Sequence, residues 1–244
     1  MSSPRTVVHD TPEALAATVA ADVLDLLADV QAAGGIPQIV LTGGTIAEAM
    51  HREIARQAPA SGVDWGAVII WFGDERFVAA DSPDRNAGQA RAAFLDAVGA
   101  HRVHEMPASS SVATAEESAA LYRDLLGGEA TGRFDLVMLG IGPDGHVASL
   151  FPEHPELAVD DVAAAAVHDS PKPPPDRVTM TFARLNAADR IWLLASGESK
   201  AEAVARARAS SGSIAETPAR GILGSAGTQI VWHLDQDAAR PHGD

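Results

Sequence analysis

The feature that most constrains this chain is an alternation between short apolar runs and longer segments with helical periodicity. Four runs are almost entirely apolar: IVL (39–41), AVIIWF (67–72), FDLVMLG (134–140) and IWLLAS (191–196). Their lack of polar alternation is typical of strands that are buried on both faces, as in a parallel sheet. The pattern predicts a doubly wound α/β fold, a mostly parallel sheet with helices on both faces.

The segments between these runs carry helix signals. Thr11 is suited to cap a helix that has Pro12 in its first position and Glu13 at its positive end, and Gly34-Gly35 ends it. Helical spacing predicts further helices over about 46–57, 86–98, 113–126 and 199–209. Additional strands are predicted at 162–167, at 177–182 and in QIVWHL near the end of the chain.

Length and charge limit the possible classes of protein. With 244 residues the chain is predicted to form a single domain over 1–244. A net charge of −15 argues against nucleic acid or an anionic membrane as partner. No apolar run approaches the roughly 20 residues of a membrane span, and the first residues lack the pattern of a signal peptide. The absence of cysteine excludes disulfides and thiolate chemistry and fits a cytoplasmic location.

Ligands of open parallel sheets bind beyond the carboxyl ends of the strands, so the residues that follow each strand are the candidates for function. The first predicted strand of the central region ends at Thr42-Gly43-Gly44-Thr45 and leads into a helix. Such a turn presents backbone N–H groups at the positive end of a helix dipole, which suits an anion. The alternative is an ordinary tight turn, and the segment does not match the Walker pattern.

Charged residues directly follow the next strand, in Gly73-Asp74-Glu75-Arg76. As a functional cluster, Arg76 would bind a carbonyl or carboxylate, and Asp74 or Glu75 would orient its guanidinium. The alternative is a solvated loop with an internal ion pair, which contributes little to stability.

A histidine lies after the third strand, in LGIGPDGHVASLFP (139–152). A neutral imidazole both accepts and returns a proton near neutral pH, so His146 beside Asp144 is a candidate general base. The stretch also spells GxGxxG from Gly140 to Gly145. A dinucleotide loop would need an acid at the end of the following strand, whereas Asp160 precedes one, so we interpret the match as accidental.

Lysine occurs only twice, against sixteen arginines. Lys200 lies in the first turn of a predicted helix after SGES, where its charge is repelled by the positive end of the helix dipole. An anionic ligand at this position would compensate for that repulsion. Lys172 lies in SPKPPPD (170–176), a stiff segment that either merely links two strands or holds Lys172 or Arg177 at the rim of a site. No GxSxG, HExxH or metal-ligand spacing is present, and the remaining histidines, His242 among them, are expected to be structural or exposed.

Five motifs in one order resemble the 6-phosphogluconolactonase family, which is related to the glucosamine-6-phosphate deaminases. They are LTGGT, FGDERFV, LGIGPDGHVASLFP, DSPKPPPDRVTMTFARLN and SGESKA, from about Leu41 to Ala201. The resemblance implies a fold of the deaminase/isomerase Rossmann type and hydrolysis of 6-phospho-D-glucono-1,5-lactone in the oxidative pentose phosphate pathway. It implies no organic cofactor and no required metal. Val147 stands where threonine is more usual, and the spacing around Asn86 departs from the family pattern.

Combined with this resemblance, the candidates take specific roles. The catalytic residues would be His146 as base, Asp144 or Asp74 to orient it, and Arg76 or backbone N–H groups to stabilise the negative oxygen. The substrate would be bound by Thr42, Gly43, Gly44, Thr45, Arg177 and Lys200, with the two cations neutralising the phosphate.

Two other functions stay open. A sugar-phosphate isomerase or deaminase would use a carboxylate base, for which Asp74 is the candidate. A non-catalytic sugar-phosphate sensor would carry an added DNA-binding domain, but the roughly forty residues before LTGGT are predicted to hold one strand and one helix. The oligomeric state does not follow from the sequence.

Overall fold

The computed structural model describes residues 4–130 and 132–240. The strands are β1 (Arg5–His9), β2 (Gln38–Leu41), β3 (Ile69–Phe72), β4 (Asp74–Arg76), β5 (Leu136–Gly140), β6 (Ala164–Val167), β7 (Arg177–Met180), β8 (Arg190–Ala195) and β9 (Gln229–Asp235). The helices are α1 (Pro12–Ala32), α2 (Thr45–Gln57), α3 (Asn86–Ala90), α4 (Ala115–Glu129), α5 (Phe182–Leu185) and α6 (Ala201–Arg208). Short 3₁₀ and π turns join several of them.

Six strands form one parallel sheet in the order β1-β9-β8-β5-β2-β3. Alternate residues of each strand face opposite cores, so that Ile39 and Leu41 pack on one face of the sheet and Val40 on the other. Because both faces are buried, strands β2, β3, β5 and β8 are almost entirely apolar, as the sequence predicted, whereas β1 and β9 carry several polar residues. The doubly wound, mostly parallel fold with helices on both faces is confirmed.

The helices cover the two faces separately. On one face, α1 and α2 pack together over the sheet, and buried residues of α1 include Val19 and Val23. On the other face, α4 contributes Tyr122 and α6 contributes Val204. The predicted capping of α1 is present, since Oγ1 of Thr11 accepts a hydrogen bond of 3.1 Å from the Ala14 N–H. Among the described residues, no helix combines the length and apolarity needed to cross a membrane.

A second sheet was not foreseen. Strands β4, β7 and β6 form a three-stranded antiparallel sheet, so the strands predicted at 162–167 and 177–182 do not extend the parallel one. The segment Asp74–Arg76, predicted as a loop, is strand β4 of this sheet, with Arg76 opposite Arg177. Three polar residues are too few to show a strand period, and only pairing with β7 makes them a strand.

The predicted helix 86–98 is also shorter and less regular than expected. It begins at Asn86 as α3 and changes at Arg91 into a π turn that ends at Leu95. The other predicted helices lie within a few residues of their expected bounds, which is the usual uncertainty of helix ends.

The order of the strands places a crevice between β2 and β5. From β2 the chain continues to β3 at one edge, whereas β5 is followed by β8 and β9 towards the other edge. At such a switch point the loops after the two central strands diverge and leave room for a ligand. The two loops touch at their bases, where the Gly140 N–H donates to Oγ1 of Thr42 at 3.2 Å.

Candidate active site

A cavity of about 260 Å³ occupies this crevice. Its walls come from loops after β2, β5 and β8, from β4, and from the segment before β7. The lining residues are Thr42, Gly43, Gly44, Asp74, Arg76, Asn86, Gly140, Ile141, Gly142, His146, Ala148, Lys172, Pro173, Arg177 and Lys200. Of the residues predicted from the sequence, Asp144 lies behind His146, and Thr45 and the buried Glu75 lie outside the lining, while the others line the cavity.

The glycine turn after β2 brings backbone into the cavity. Gly44 is the N-cap of α2, with a φ of +99° that favours glycine, and no side chain caps the helix there. A Cβ on Gly43 would lie 2.0 Å from Oδ1 of Asn86, so only glycine allows this close approach. Uncapped N–H groups at the start of a 13-residue helix form a favourable site for an anion.

Arg76 reaches across from β4 to the same side of the cavity. Its Nη1 donates to Oδ1 of Asn86 at 2.9 Å and to the Asp84 carbonyl at 2.6 Å. Because Asn86 packs against Gly43, the Arg76 guanidinium lies next to the glycine turn.

Neither acid neighbour orients Arg76 through its side chain, contrary to expectation. The Glu75 carboxylate is 2% exposed and accepts the N–H groups of Arg76, Asn86 and Ala87 at 2.8–2.9 Å. Burial raises the pKa of Glu75, and these bonds and Arg85 oppose the rise. Glu75 therefore joins β4 to the start of α3, and it is Asn86 that bonds the Arg76 guanidinium.

His146 and Asp144 form a bonded pair in the loop after β5. Nδ1 of His146 lies 2.5 Å from Oδ1 of Asp144. Burial alone would raise the pKa of Asp144, but the hydrogen bond and the charge of His146 outweigh it and hold that pKa well below its usual range. An ionised Asp144 requires Nδ1 to be the donor, so in the neutral ring Nε2 carries the lone pair. The geometry suits a general base.

Gly142 makes room for the imidazole, because a Cβ there would lie 2.0 Å from Nδ1 of His146. The ring also packs against Phe151 at a centroid distance of 4.7 Å. The segment after Gly145 runs through turns rather than a helix, which agrees with our rejection of the dinucleotide loop.

Asp74 serves a different partner. Its Oδ2 accepts a 2.6 Å bond from the hydroxyl of Ser149, which is fully buried, and its Oδ1 lies 3.4 Å from Nδ2 of Asn86. Between His146 and Ser149, Ala148 adopts a φ of +49°, which is uncommon for a residue with a Cβ. The Asp74–Ser149 bond thus ties β4 to the turn that carries His146. Of the two acids considered for orienting His146, Asp144 is the bonded one.

The segment 168–176 forms a closed loop around Arg177. The guanidinium donates to the carbonyls of Lys172, Pro173 and Pro174 at 3.1–3.2 Å and lies 5.6 Å from the Phe151 ring centroid. Among the described residues, none accepts a hydrogen bond from its Nη1. Burial lowers the pKa of Arg177, with Asp74 opposing the shift.

Both lysines of the chain line this one cavity. Within the described residues, neither ammonium has a hydrogen-bond or salt-bridge partner. The pKa of Lys200 is lowered by burial first and then by the charge of Lys172. Burial also lowers the pKa of Lys172, with Asp144 opposing and Arg177 and Arg76 adding to the shift. Two half-buried cations without a paired anion favour an anionic ligand.

The other described histidines lie away from the cavity lining. His51 is buried against Phe94, and desolvation lowers its pKa to about 3. His9 and His233 contact each other at 3.2 Å, while His168 is exposed between Glu116 and Asp176. His242 lies outside the described residues. Within 4–130 and 132–240, no group of three or more His, Asp or Glu side chains is placed to hold a metal ion.

Sequence reasoning underrated several residues of this site. Asn86 was expected to be a weak candidate, Lys172 had no assigned role, and Gly142 and Ser149 were not singled out. For Lys172, the available signal in the sequence was that lysine is rare in this chain. For Asn86 and Ser149 the signal is tertiary, because their partners Arg76 and Asp74 come from a strand that the sequence did not reveal.

A family model described as glucosamine-6-phosphate isomerases/6-phosphogluconolactonase matches residues 10–232. A 6-phosphogluconolactonase of Streptomyces coelicolor is 41% identical over 248 residues, covering 97% of this chain and 94% of the relative. One from Bos taurus is 35% identical, covering 98% and 94%.

Solved structures show the same fold. A 6-phosphogluconolactonase from Trypanosoma brucei superposes with a TM-score of 0.85 at 27% identity, covering 98% of each chain. A monomeric glucosamine-6-phosphate deaminase superposes with a TM-score of 0.81 at 20% identity, covering 96% of this chain and 98% of the deaminase. At that identity the deaminase shows a shared fold and no more.

Proposed function

This chain belongs to the glucosamine-6-phosphate isomerase/6-phosphogluconolactonase family, and on that premise we propose that it hydrolyses 6-phospho-D-glucono-1,5-lactone to 6-phosphogluconate. The observation that carries the proposal is the set of residues that meet in one cavity. There a histidine bonded to an ionised acid faces an uncapped helix N-terminus and two lysines whose ammonium groups have no partner within the described part of the chain. A lactone with a phosphate at its far end needs the histidine and its acid for hydrolysis, and the lysines and the helix N-terminus to bind its phosphate.

The phosphate would lie on the backbone N–H groups of Gly43 and Gly44, at the start of α2. Lys200 would neutralise it, and Arg177 would add its free Nη1. Each charge-assisted hydrogen bond contributes about 1.5–3 kcal/mol, which a doubly charged phosphate requires in a protein of net charge −15. Thr42 braces the turn through its bond to Gly140. Thr45 lies outside the cavity lining, so its expected role as a phosphate ligand has no support from the cavity.

His146 would act as the general base. Its Nε2 would take a proton from a water molecule while the water oxygen attacks C1 of the lactone. The imidazolium would then return that proton to the ring oxygen as the C1–O bond breaks. Asp144, bonded to Nδ1, would hold the ring and stabilise its charged form. Arg76 or a backbone N–H group of the cavity loops would stabilise the negative oxygen that forms on C1.

The alternative of a sugar-phosphate isomerase or deaminase would need a free carboxylate base. Asp74 faces the cavity, but its two oxygens are engaged by Ser149 and Asn86. A sugar-phosphate sensor would not need His146 and Asp144 as a bonded pair. The geometry therefore favours lactone hydrolysis over both.

We further propose that residues 1–244 form one catalytic domain of the oxidative pentose phosphate pathway in the cytoplasm. The cavity draws its lining from Thr42 to Lys200, so most of the chain takes part in one site. The acidic, cysteine-free composition fits a reducing compartment and a partner that is a small sugar phosphate rather than nucleic acid or membrane. The reaction needs no organic cofactor.

A direct assay tests this function. Freshly prepared 6-phospho-D-glucono-1,5-lactone is mixed with the protein at neutral pH, and acid release is followed after subtraction of the spontaneous rate. We expect hydrolysis far above that rate. In a parallel assay, glucosamine 6-phosphate should release no ammonia. Ammonia release without lactone hydrolysis would assign the chain to the deaminase branch, and inactivity in both assays would favour the sensor.

A further inference from the structure

One cation of the cavity has no role in the proposed reaction so far. We propose that Lys172 is the catalytic residue that stabilises the negative oxygen on C1 of the lactone. The inference deepens the proposed function and rests on it. It assigns the two lysines of the chain to opposite ends of the substrate, with Lys200 at the phosphate and Lys172 at the reacting carbon.

The backbone around Lys172 is held firmly. Arg177 donates to the carbonyls of residues 172, 173 and 174, so one guanidinium fixes three consecutive peptide groups. The Ser170 hydroxyl donates to the Lys172 carbonyl at 3.0 Å and accepts the Lys172 N–H at 3.3 Å. A loop fixed at each of these points presents its side chain in a restricted set of positions, as an electrostatic catalyst needs.

The surroundings of the ammonium point to the reacting end. Lys172 and His146 line the same cavity, and among charged groups Asp144, the partner of His146, has the largest influence on the pKa of Lys172. For the pKa of Lys200 the largest such influence is Lys172 itself, followed by Asp144. Within the described residues the Lys172 ammonium has no hydrogen-bond partner, so its donors are available to a ligand. An ammonium that faces a cavity beside the general base is well placed for charge that develops on C1.

Arg76 is less suited to the same task. Its Nη1 is held by Asn86 and by the Asp84 carbonyl, and Asn86 packs against Gly43. This directs the guanidinium towards the glycine turn, where the phosphate end would lie. Nη1 of Arg76 is therefore already engaged by the protein, whereas the Lys172 ammonium has no hydrogen-bond partner among the described residues and lines the cavity together with the base.

In the step itself, the water oxygen forms a bond to C1 and the carbonyl π electrons move onto the carbonyl oxygen. The ammonium of Lys172 donates a hydrogen bond to that oxyanion and stays protonated, while the water proton moves to Nε2 of His146. On collapse the oxyanion electrons re-form the carbonyl, the bond from C1 to the ring oxygen breaks, and the imidazolium protonates that oxygen. Lys172 contributes charge and consumes no reagent.

Arg177 then acts through Lys172 as a positioning residue. Its Nε and Nη2 donate hydrogen bonds to the carbonyls of residues 172–174, so removing the Arg177 side chain removes the bonds that hold the loop in place. Its effect on kcat should therefore disappear when Lys172 is already absent, because coupled residues are not additive.

The test compares Lys172→Met with Lys200→Met, two neutral replacements of similar length in one cavity. With 6-phospho-D-glucono-1,5-lactone, we expect Lys172→Met to lower kcat about 100-fold with KM changed less than threefold, as for loss of one oxyanion donor. Lys200→Met should raise KM with kcat within threefold. Lys172→Arg should recover at least tenfold of the lost kcat. In the Lys172→Met background, Arg177→Met should lower kcat by less than twofold more.

The outcomes separate the two proposals. If the unaltered chain does not hydrolyse the lactone, the proposed function itself fails. If it does, a kcat loss below tenfold for Lys172→Met overturns the oxyanion assignment, and a rise in KM alone assigns Lys172 to the phosphate. The melting temperature checks that each variant is folded, and binding of 6-phosphogluconate is a second check for Lys172→Met. Should Lys172→Met not fold, Lys172→Gln replaces it under the same criteria.

Discussion

The cavity has two walls that are built differently. The large-sheet wall, defined as Gly43, Gly44, His146 and Lys200, follows the carboxyl ends of parallel strands, and its polar groups have few side-chain partners. The small-sheet wall, defined as Asp74, Arg76, Lys172 and Arg177, belongs to β4, β7 and the loop before β7, and all its side chains except that of Lys172 are hydrogen-bonded to neighbouring segments. The first wall presents free groups to a ligand, whereas the second also holds the fold together.

This difference has a consequence for mutations. On the large-sheet wall, removing a side chain should lower activity with little change in the free energy of unfolding. On the small-sheet wall, removing a partner leaves a buried polar group unsatisfied, which lowers stability as well.

His146→Ala should give the largest effect. We expect kcat to fall by about 100- to 10,000-fold, the usual contribution of a general base, while 6-phosphogluconate binds nearly as before. Steady-state kinetics and calorimetric binding of the product measure the two quantities. His101→Ala, which removes an exposed histidine, is the control and should leave both unchanged. A kcat within threefold of the unaltered protein would show that His146 is not the base.

Lys200→Ala should have the next largest effect, and on a different parameter. Loss of one charge-assisted bond to phosphate, about 1.5–3 kcal/mol, corresponds to a rise in KM of roughly 10- to 150-fold. The melting temperature should stay the same, because the Lys200 ammonium has no salt-bridge partner among the described residues. Arg52→Ala removes an exposed cation as a control. An unchanged KM would remove Lys200 from the phosphate site.

Ser149→Ala tests the small-sheet wall. The buried Asp74 carboxylate loses its shortest hydrogen bond, so the free energy of unfolding should fall by about 1–3 kcal/mol, with a smaller loss of kcat as the His146 turn loosens. Denaturant unfolding measures the change. Ser118→Ala is a matched control, since that buried hydroxyl donates only to the neutral Pro107 carbonyl. An equal loss of stability in the two variants would contradict the special role of the Asp74 bond.

The smallest effect should appear at alkaline pH. Burial lowers the pKa of Lys200, so its charge is lost at a lower pH than that of an ordinary lysine. The contribution of this cation to phosphate binding is therefore present below the lowered pKa and declines as the pH rises through it, so KM should increase several-fold. Lys200→Arg keeps its charge in this range and should flatten the rise. A KM profile that is the same for lysine and arginine would contradict this origin.

Much of the large-sheet wall was predictable from the sequence. Apolar runs located β2, β5 and β8, and the rule that ligands bind beyond strand ends selected Gly43, His146 and Lys200. The small-sheet wall was not predictable in the same way. Strand β4 has three residues, and Arg177 was expected only as a phosphate ligand, although most of its hydrogen bonds go to backbone carbonyls.

The parallel sheet, the helices that cover it and the five family motifs could all be recognised in the amino-acid sequence. These features depend on local periodicity and on residues that are adjacent in the chain. Burial places the apolar runs in the sheet, and the end of each strand places the motif that follows it at the edge of the sheet. Three features became visible in the folded structure alone: Asp144 rather than Asp74 bonds His146, Glu75 binds backbone N–H groups instead of the Arg76 guanidinium, and both lysines meet in one cavity. These contacts join residues through pairing between strands and loops, and no local pattern of the sequence encodes that pairing.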